Sequence, residues 1–132
     1  MLAVIDTNVL VSASINREGV PGQLVAKIRA LALTPVLSAA IQDEYSNVLR
    51  RPRFNFPRNW VDDLLVDMAA LALHVRPKAI ASENLPDPDD APFIATALAA
   101  GCPIVTGNAR HFPADCGAEI LSPAQCLERL MG

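Results

Sequence analysis

Short apolar runs alternate with helix-length segments along this chain of 132 residues, and that alternation constrains the fold more than anything else in it. The first run is Leu2-Ala3-Val4-Ile5. Four consecutive apolar residues bounded by a polar one read as a strand buried on both faces, the pattern of a parallel sheet covered by helices. Comparable strands are expected at Thr34–Leu37, Pro103–Val105 and Glu119–Leu121, with a brief one at His74–Arg76. Helices are expected over Val9–Ser14, Gln23–Leu33, Ser38 (as N-cap) to about Leu49, Arg58–Leu73 and Ala91–Ala100. A last helix is capped by Ser122-Pro123. Strands alternating with helices predict an α/β fold, a central parallel sheet with helices on both faces.

The same chain is long enough to bury one real core, and no Ser/Gly/Pro-rich linker divides it, so residues 1–132 are expected to form a single domain. With 52% hydrophobic residues it is not a disordered chain, and no apolar stretch reaches membrane-spanning length. Cys102, Cys116 and Cys126 are odd in number and lack metal-ligand spacing, which fits free thiols in a reducing, cytoplasmic setting; no secretory leader is expected. A net charge of −3 argues against nucleic-acid binding through bulk charge but leaves room for a local basic patch.

Acids stand where chemistry is expected. Asp6 directly follows the first strand, at the carboxyl edge of the sheet, where open α/β folds bind ligands. It either caps the next helix or belongs to a site. Glu44 falls with Ile41, Tyr45 and Val48 at helical spacing, which sets a carboxylate inside an apolar stripe. There it needs a cation or a partner such as Arg50. Asp87-Pro88-Asp89-Asp90 precedes the Ala-rich helix; one acid suits a cap, with Asp89 or Asp90 expected in that role, and three exceed the need. Thr106-Gly107-Asn108 follows the strand Pro103–Val105 and offers hydroxyl and amide groups at the same edge. Two carboxylates 4 Å apart repel by about 4 kcal/mol at an effective dielectric near 20. Convergence of Asp6, Glu44 and Asp90 with Asn108 therefore calls for shared protons or a hard divalent ion. No His/Cys set suggests zinc, since His74 and His111 are far apart in sequence.

Asp6-Thr7-Asn8-Val9-Leu10, Glu44, Asp90 with Phe93-Ile94-Ala95-Thr96-Ala97, and Thr106-Gly107-Asn108 resemble, in order and spacing, the motifs of the PIN-domain family, over essentially the whole chain. Nearest in pattern are its VapC-like members, the toxin components of toxin–antitoxin systems. The resemblance implies a three-layer α/β/α fold and a Mg²⁺- or Mn²⁺-dependent ribonuclease. Asp6, Glu44 and Asp90 would be the metal ligands, and Asn108 would complete the catalytic group. Thr7, Asn8, Asp87 and Thr106 would support it. A small antitoxin and a homodimer or higher oligomer are the implied partners. The chain departs from the pattern at Asn108 and at His111, where relatives often carry acids, and at Ala91-Pro92. Those departures point to a weaker second-metal side, and to an alternative in which the fold serves as a catalytically weak binding module. A phosphatase using Asp6 as nucleophile fits less well, because Asn8 stands where such enzymes carry a second acid.

RNA contacts are expected at Arg50, Arg51 and Arg53, where Arg58 and the interleaved Phe54 and Phe56 make a basic, aromatic segment, and at Arg110. The competing explanation for the first group is charge pairing at a helix end together with loop packing.

Overall fold

A computed structural model describes residues 1–83 and 85–132. Five parallel strands form one sheet: β1 (Leu2–Ile5), β2 (Thr34–Leu37), β3 (Leu73–His74), β4 (Ile104–Val105) and β5 (Ile120–Leu121). Their order is β3-β2-β1-β4-β5. β1 is the central strand, with Leu2 opposite Thr34 on one side and Val4 opposite Ile104 on the other. The chain builds outward from β1 to β3, then jumps back across the sheet to β4. The gap between the carboxyl ends of β1 and β4 is thus a topological switch point, the place where open α/β sheets form binding crevices.

Six helices complete the three-layer α/β/α arrangement: α1 (Thr7–Ile15), α2 (Val20–Arg29), α3 (Ala39–Leu49), α4 (Arg58–Leu71), α5 (Ala91–Ala100) and α6 (Pro123–Met131). Ala3, Val4 and Ile5 are essentially inaccessible, and Phe93, Ile94 and Ala97 of α5 are buried in the same core, against β1, β2 and β4. A near-continuous apolar strand is what burial on both faces requires. Val61, Leu64 and Met68 bury the inner stripe of α4, while Asp62 and Asp67 lie on its solvated side, paired with Arg50 (2.7 Å) and Arg29 (2.8 Å).

Several boundaries differ from the sequence expectation, each for a local reason. α2 begins at Val20, not Gln23, because Pro21 fits the first helical turn, where a missing N–H costs nothing. Gly22 lies inside that turn, and a Cβ there would come within 2.0 Å of the Arg17 carbonyl oxygen, so glycine permits the close approach. α2 ends at Arg29, not Leu33, because Leu31 turns left-handed (φ 66°) and the Ala32 N–H returns to the Lys27 carbonyl. That helix stop ordinarily carries glycine. α1 starts two residues earlier than expected, at Thr7, and β3 lies at Leu73–His74, one residue ahead of the predicted span, so α4 closes at Leu71. No helix among the described residues is long and apolar enough to cross a membrane, and the three cysteines are free thiols.

Trp60 fastens α4 to the first two helices. Its indole N–H donates to Ser14 Oγ (2.9 Å), and the guanidinium of Arg17 lies 3.8 Å from the ring centroid. That of Arg29 lies 5.6 Å away. The two cation–π contacts and the hydrogen bond fix three helices on one aromatic ring.

Candidate active site

Asp6 stands at the position before α1 but makes no side-chain cap bond. Its Oδ2 instead accepts from Thr106 Oγ1 at 2.7 Å, across 100 residues of sequence. The Thr106 hydroxyl in turn accepts the Asn108 N–H at 3.0 Å, so the turn after β4 orients the threonine that orients Asp6. Asn8 Oδ1 accepts the Gly107 N–H (3.3 Å) and ties the two loops together. Asp6 is 7% exposed; desolvation pushes its carboxyl above the usual range, opposed by the Thr106 hydroxyl.

Glu44 is half-buried, at the margin of the α3 stripe and not inside it, because Ile41, Tyr45 and Leu49 take the buried positions. It does not pair with Arg50, which bonds Asp62 at the far end of the helix. Thr7 Oγ1 donates to Glu44 Oε2. Tyr45 is fully buried and its hydroxyl donates to the Ile5 carbonyl, pinning α3 to β1 one residue before Asp6. Burial raises the Glu44 carboxyl, the Thr7 hydroxyl opposes it, and the nearby charges of Asp6, Asp89 and Asp87 raise it further.

Asp90 is the most perturbed acid. It is 8% exposed, and its Oδ2 is fully buried with no hydrogen-bond partner. Its carboxyl is raised to about 7, first by burial, then by Asp6 and Asp87. Asp90 does occupy the N-cap position of α5, one of the two residues expected there, but its side chain makes no cap bond. A 3₁₀ turn over Pro88–Asp90 precedes α5 and moves the cap upstream to Asp87, which accepts the Asp89 N–H at 2.9 Å. Asp90 is left without a capping bond and turned inward.

His111 is the group sequence reasoning missed as a member of this cluster. Its Nδ1 lies 3.7 Å from Asp90 Oδ2, and Asp87, Asp90 and His111 each present a ligand atom within 4.8 Å of the others. The signal for it was its position, one residue before Phe112, where the family pattern often has an acid. Residue type concealed it, because a lone histidine without ligand spacing does not announce a metal site. The side chain of Asn108 is exposed and makes no hydrogen bond among the described residues, lining a shallow cleft with Asn8, Ser12, Pro21 and Pro123. Its backbone N–H bonds the Thr106 hydroxyl that holds Asp6.

The arginines lie elsewhere. Arg50 and Arg51, with Asn55, Phe56 and Arg58, line a cleft of about 460 Å³ where α3 ends and α4 begins. Six residues of helix separate Glu44 from Arg50, roughly 9 Å. Phe54 and Phe56 stack on each other (centroids 5.2 Å apart) and Arg53 covers Phe54 at 4.8 Å. Arg110 is exposed beside His111.

The carboxyls that follow β1, lie mid-α3 and open α5 are all raised by burial, and Asp6 adds its charge to that of Glu44 and of Asp90, so the three belong to one electrostatic neighbourhood. Such a set fits a divalent cation. The orphaned Asp90 oxygen lacks the hydrogen-bond donor that buried carboxylates require, and oxygen donors suit a hard ion. An α/β/α domain with acids gathered at the switch point of its sheet suits chemistry assisted by a divalent cation. Residues 3–110 match the family described as PIN domain, and the chain belongs to that family, whose members are generally metal-dependent nucleases acting on RNA. No curated protein and no solved structure matches the chain.

Proposed function

We propose that all 132 residues work as one PIN unit, a Mg²⁺- or Mn²⁺-dependent endoribonuclease, and that it is the toxin of a toxin–antitoxin pair. The observation that carries the catalytic part is the buried, unpartnered Asp90 Oδ2 in a carboxyl that feels the charges of Asp6 and Glu44. Asp6, Glu44 and Asp90 hold the ion. When bound, it supplies positive charge for the phosphate oxygens and acidifies water to a nucleophile at neutral pH. The protein's part is aim. Thr106 fixes one oxygen of Asp6 and Thr7 fixes one of Glu44, so each carboxylate keeps a defined lone-pair direction. Glu44, the most solvent-accessible of the three, orients the attacking water and takes its proton. Arg50 and Arg51 hold the RNA backbone at the cleft between α3 and α4, Arg53 holds it nearby over Phe54, and Arg110 holds it beside His111. Support for this path is the charge of the cleft and its separation from Glu44 by less than two helical turns.

The toxin reading draws on the motif resemblance and on apolar surface. Ile15, Val66, Leu98 and Met131 are exposed, side chains that an antitoxin or a second copy of the chain would cover. A catalytically weak binding module is favoured by one observation, the absence of acids at 108 and 111. Labelled single-stranded RNA incubated with Mn²⁺ separates the two. Wild type cuts, EDTA stops the cut, and Asp6→Ala removes it. Equal activity in wild type and variant would remove the proposal. Light scattering and a pull-down with the product of an adjacent small reading frame test the toxin role; a strict monomer with no partner would refute it.

A further inference from the structure

The tightest cluster of ligand atoms in the described chain is not the Asp6–Glu44–Asp90 set. It is Asp87, Asp90 and His111. We propose that these three form a cation position of their own, with one nitrogen and two oxygen donors, that takes a nitrogen-seeking divalent ion such as Zn²⁺ or Co²⁺ in preference to Mg²⁺. The inference deepens the nuclease reading, because Asp90 belongs to both positions, and it rests on that reading for its place in the chemistry but not for its geometry.

Three features argue for it. Asp90 Oδ2 is buried and lacks any donor, and it points at the imidazole without hydrogen bonding to it, since 3.7 Å is too long. Two ligands at about 2.1 Å from a shared ion in a tetrahedral arrangement sit about 3.4 Å apart, so the observed separation needs little adjustment. Asp87 holds the Asp89 N–H through Oδ1, which fixes its carboxylate and leaves Oδ2 free to coordinate. His111 is set by the 3₁₀ turn Ala109–His111, its N–H bonded to the Asn108 carbonyl at 3.0 Å, and its ring is half-exposed, which gives an ion a route in.

Donor chemistry then decides the ion. Mg²⁺ favours six oxygens and keeps its waters, whereas an imidazole among the ligands favours Zn²⁺ and its neighbours in the first row. An acid at 111 would give an all-oxygen set; histidine changes the preference. The substitution that looks like a loss in the sequence is a change of ligand type in the fold.

Cobalt is the probe, since its visible absorption reports imidazole ligation without any turnover. Metal-free wild type titrated with Co²⁺ should show a saturable visible band that tenfold excess Mg²⁺ does not displace. His111→Ala should lose the band and weaken Co²⁺ binding at least about tenfold, the low end of what loss of even a group supporting a metal ligand brings. Its Mg²⁺ affinity should stay within about twofold. His111→Asp should narrow the preference for Co²⁺ over Mg²⁺, and Asp87→Asn should weaken Co²⁺ as His111→Ala does. His111 is exposed, so these variants should fold, and circular dichroism checks that they do. A Co²⁺ titration unchanged in His111→Ala would overturn the inference, as would a band lost in Asp6→Asn and kept in His111→Ala. Failure of the nuclease reading looks different: the His111-dependent band persists while Asp6→Ala and wild type cleave RNA equally.

Discussion

Asp90→Asn should make the metal-free protein more stable. The carboxyl of Asp90 is raised from its ordinary 3.8 to about 7, chiefly by burial and by the negative charge of Asp6 and Asp87. The folded state therefore binds the proton more tightly than the unfolded state does. Stability from this group is full below pH 4, declines as pH rises through the window between 4 and 7, and is flat above it. A displacement of about three units at 1.36 kcal/mol each makes ionised Asp90 a burden of roughly 4 kcal/mol at pH 8. Relaxation and coupling to its neighbouring acids reduce that, and about 2–4 kcal/mol is expected. Asparagine keeps the shape and carries no charge, and no cap bond is forfeited because Asp90 makes none. For a chain of this length the gain corresponds to a rise in Tm of roughly 6–12 °C. Chemical denaturation of both proteins in EDTA at pH 8, 6 and 4 is the assay. The difference should be largest at pH 8, about halved near pH 5–6 and close to nothing at pH 4. Wild type should regain the lost ground when Mn²⁺ is added, and the variant should not. A variant less stable than wild type at pH 8, or a difference independent of pH, would refute the account of Asp90 as a strained, charge-seeking carboxylate.

Three further outcomes are expected. Mn²⁺ at a hundred times its Kd should add about 2.7 kcal/mol to wild type in thermal melts and much less to Asp6→Asn; equal shifts would place the ion elsewhere. Asn108→Asp should tighten Mn²⁺ and speed cleavage if the side chain serves the site, whereas a role confined to its backbone N–H leaves both Asp and Ala variants at wild-type values, so the pair measured together decides. Leu31→Gly should stabilise the fold by about 0.5–1 kcal/mol, because an exposed leucine occupies the left-handed helix stop (φ 66°); a loss of stability in urea melts would contradict that.

Much of the architecture was legible because it depends on pattern. Leu2–Ile5 and Thr34–Leu37 match their strands to the residue, Ser38 and Ser122 are caps as read, and Gly101 ends α5 in the left-handed conformation. Failures fell where a residue acted against its type. Leu31 stops a helix where glycine is usual, and Gly-Val-Pro-Gly opens a helix where it reads as a break. In the site, the electrostatic influence of Asp6 on Glu44 and Asp90 follows from placements the sequence makes conspicuous, an acid after a strand, one on an amphipathic helix and one before the Ala-rich helix. The inclusion of Asp87 and His111 in one tight trio was not, because it depends on a 3₁₀ turn that shifts the cap upstream and on another that swings an isolated histidine back over the acids.

The hydrogen bond between Thr106 and Asp6 spans 100 residues, and it bears on when this protein becomes competent. All three acids have been synthesised by residue 90, yet the hydroxyl that steadies the first of them arrives with the turn after β4, once that strand has docked beside β1. A chain ending short of Thr106 carries every carboxylate and the Thr7 hydroxyl that holds Glu44, but lacks the hydroxyl that aims Asp6. The aim of Asp6 thus depends on the closing of the sheet between β1 and β4.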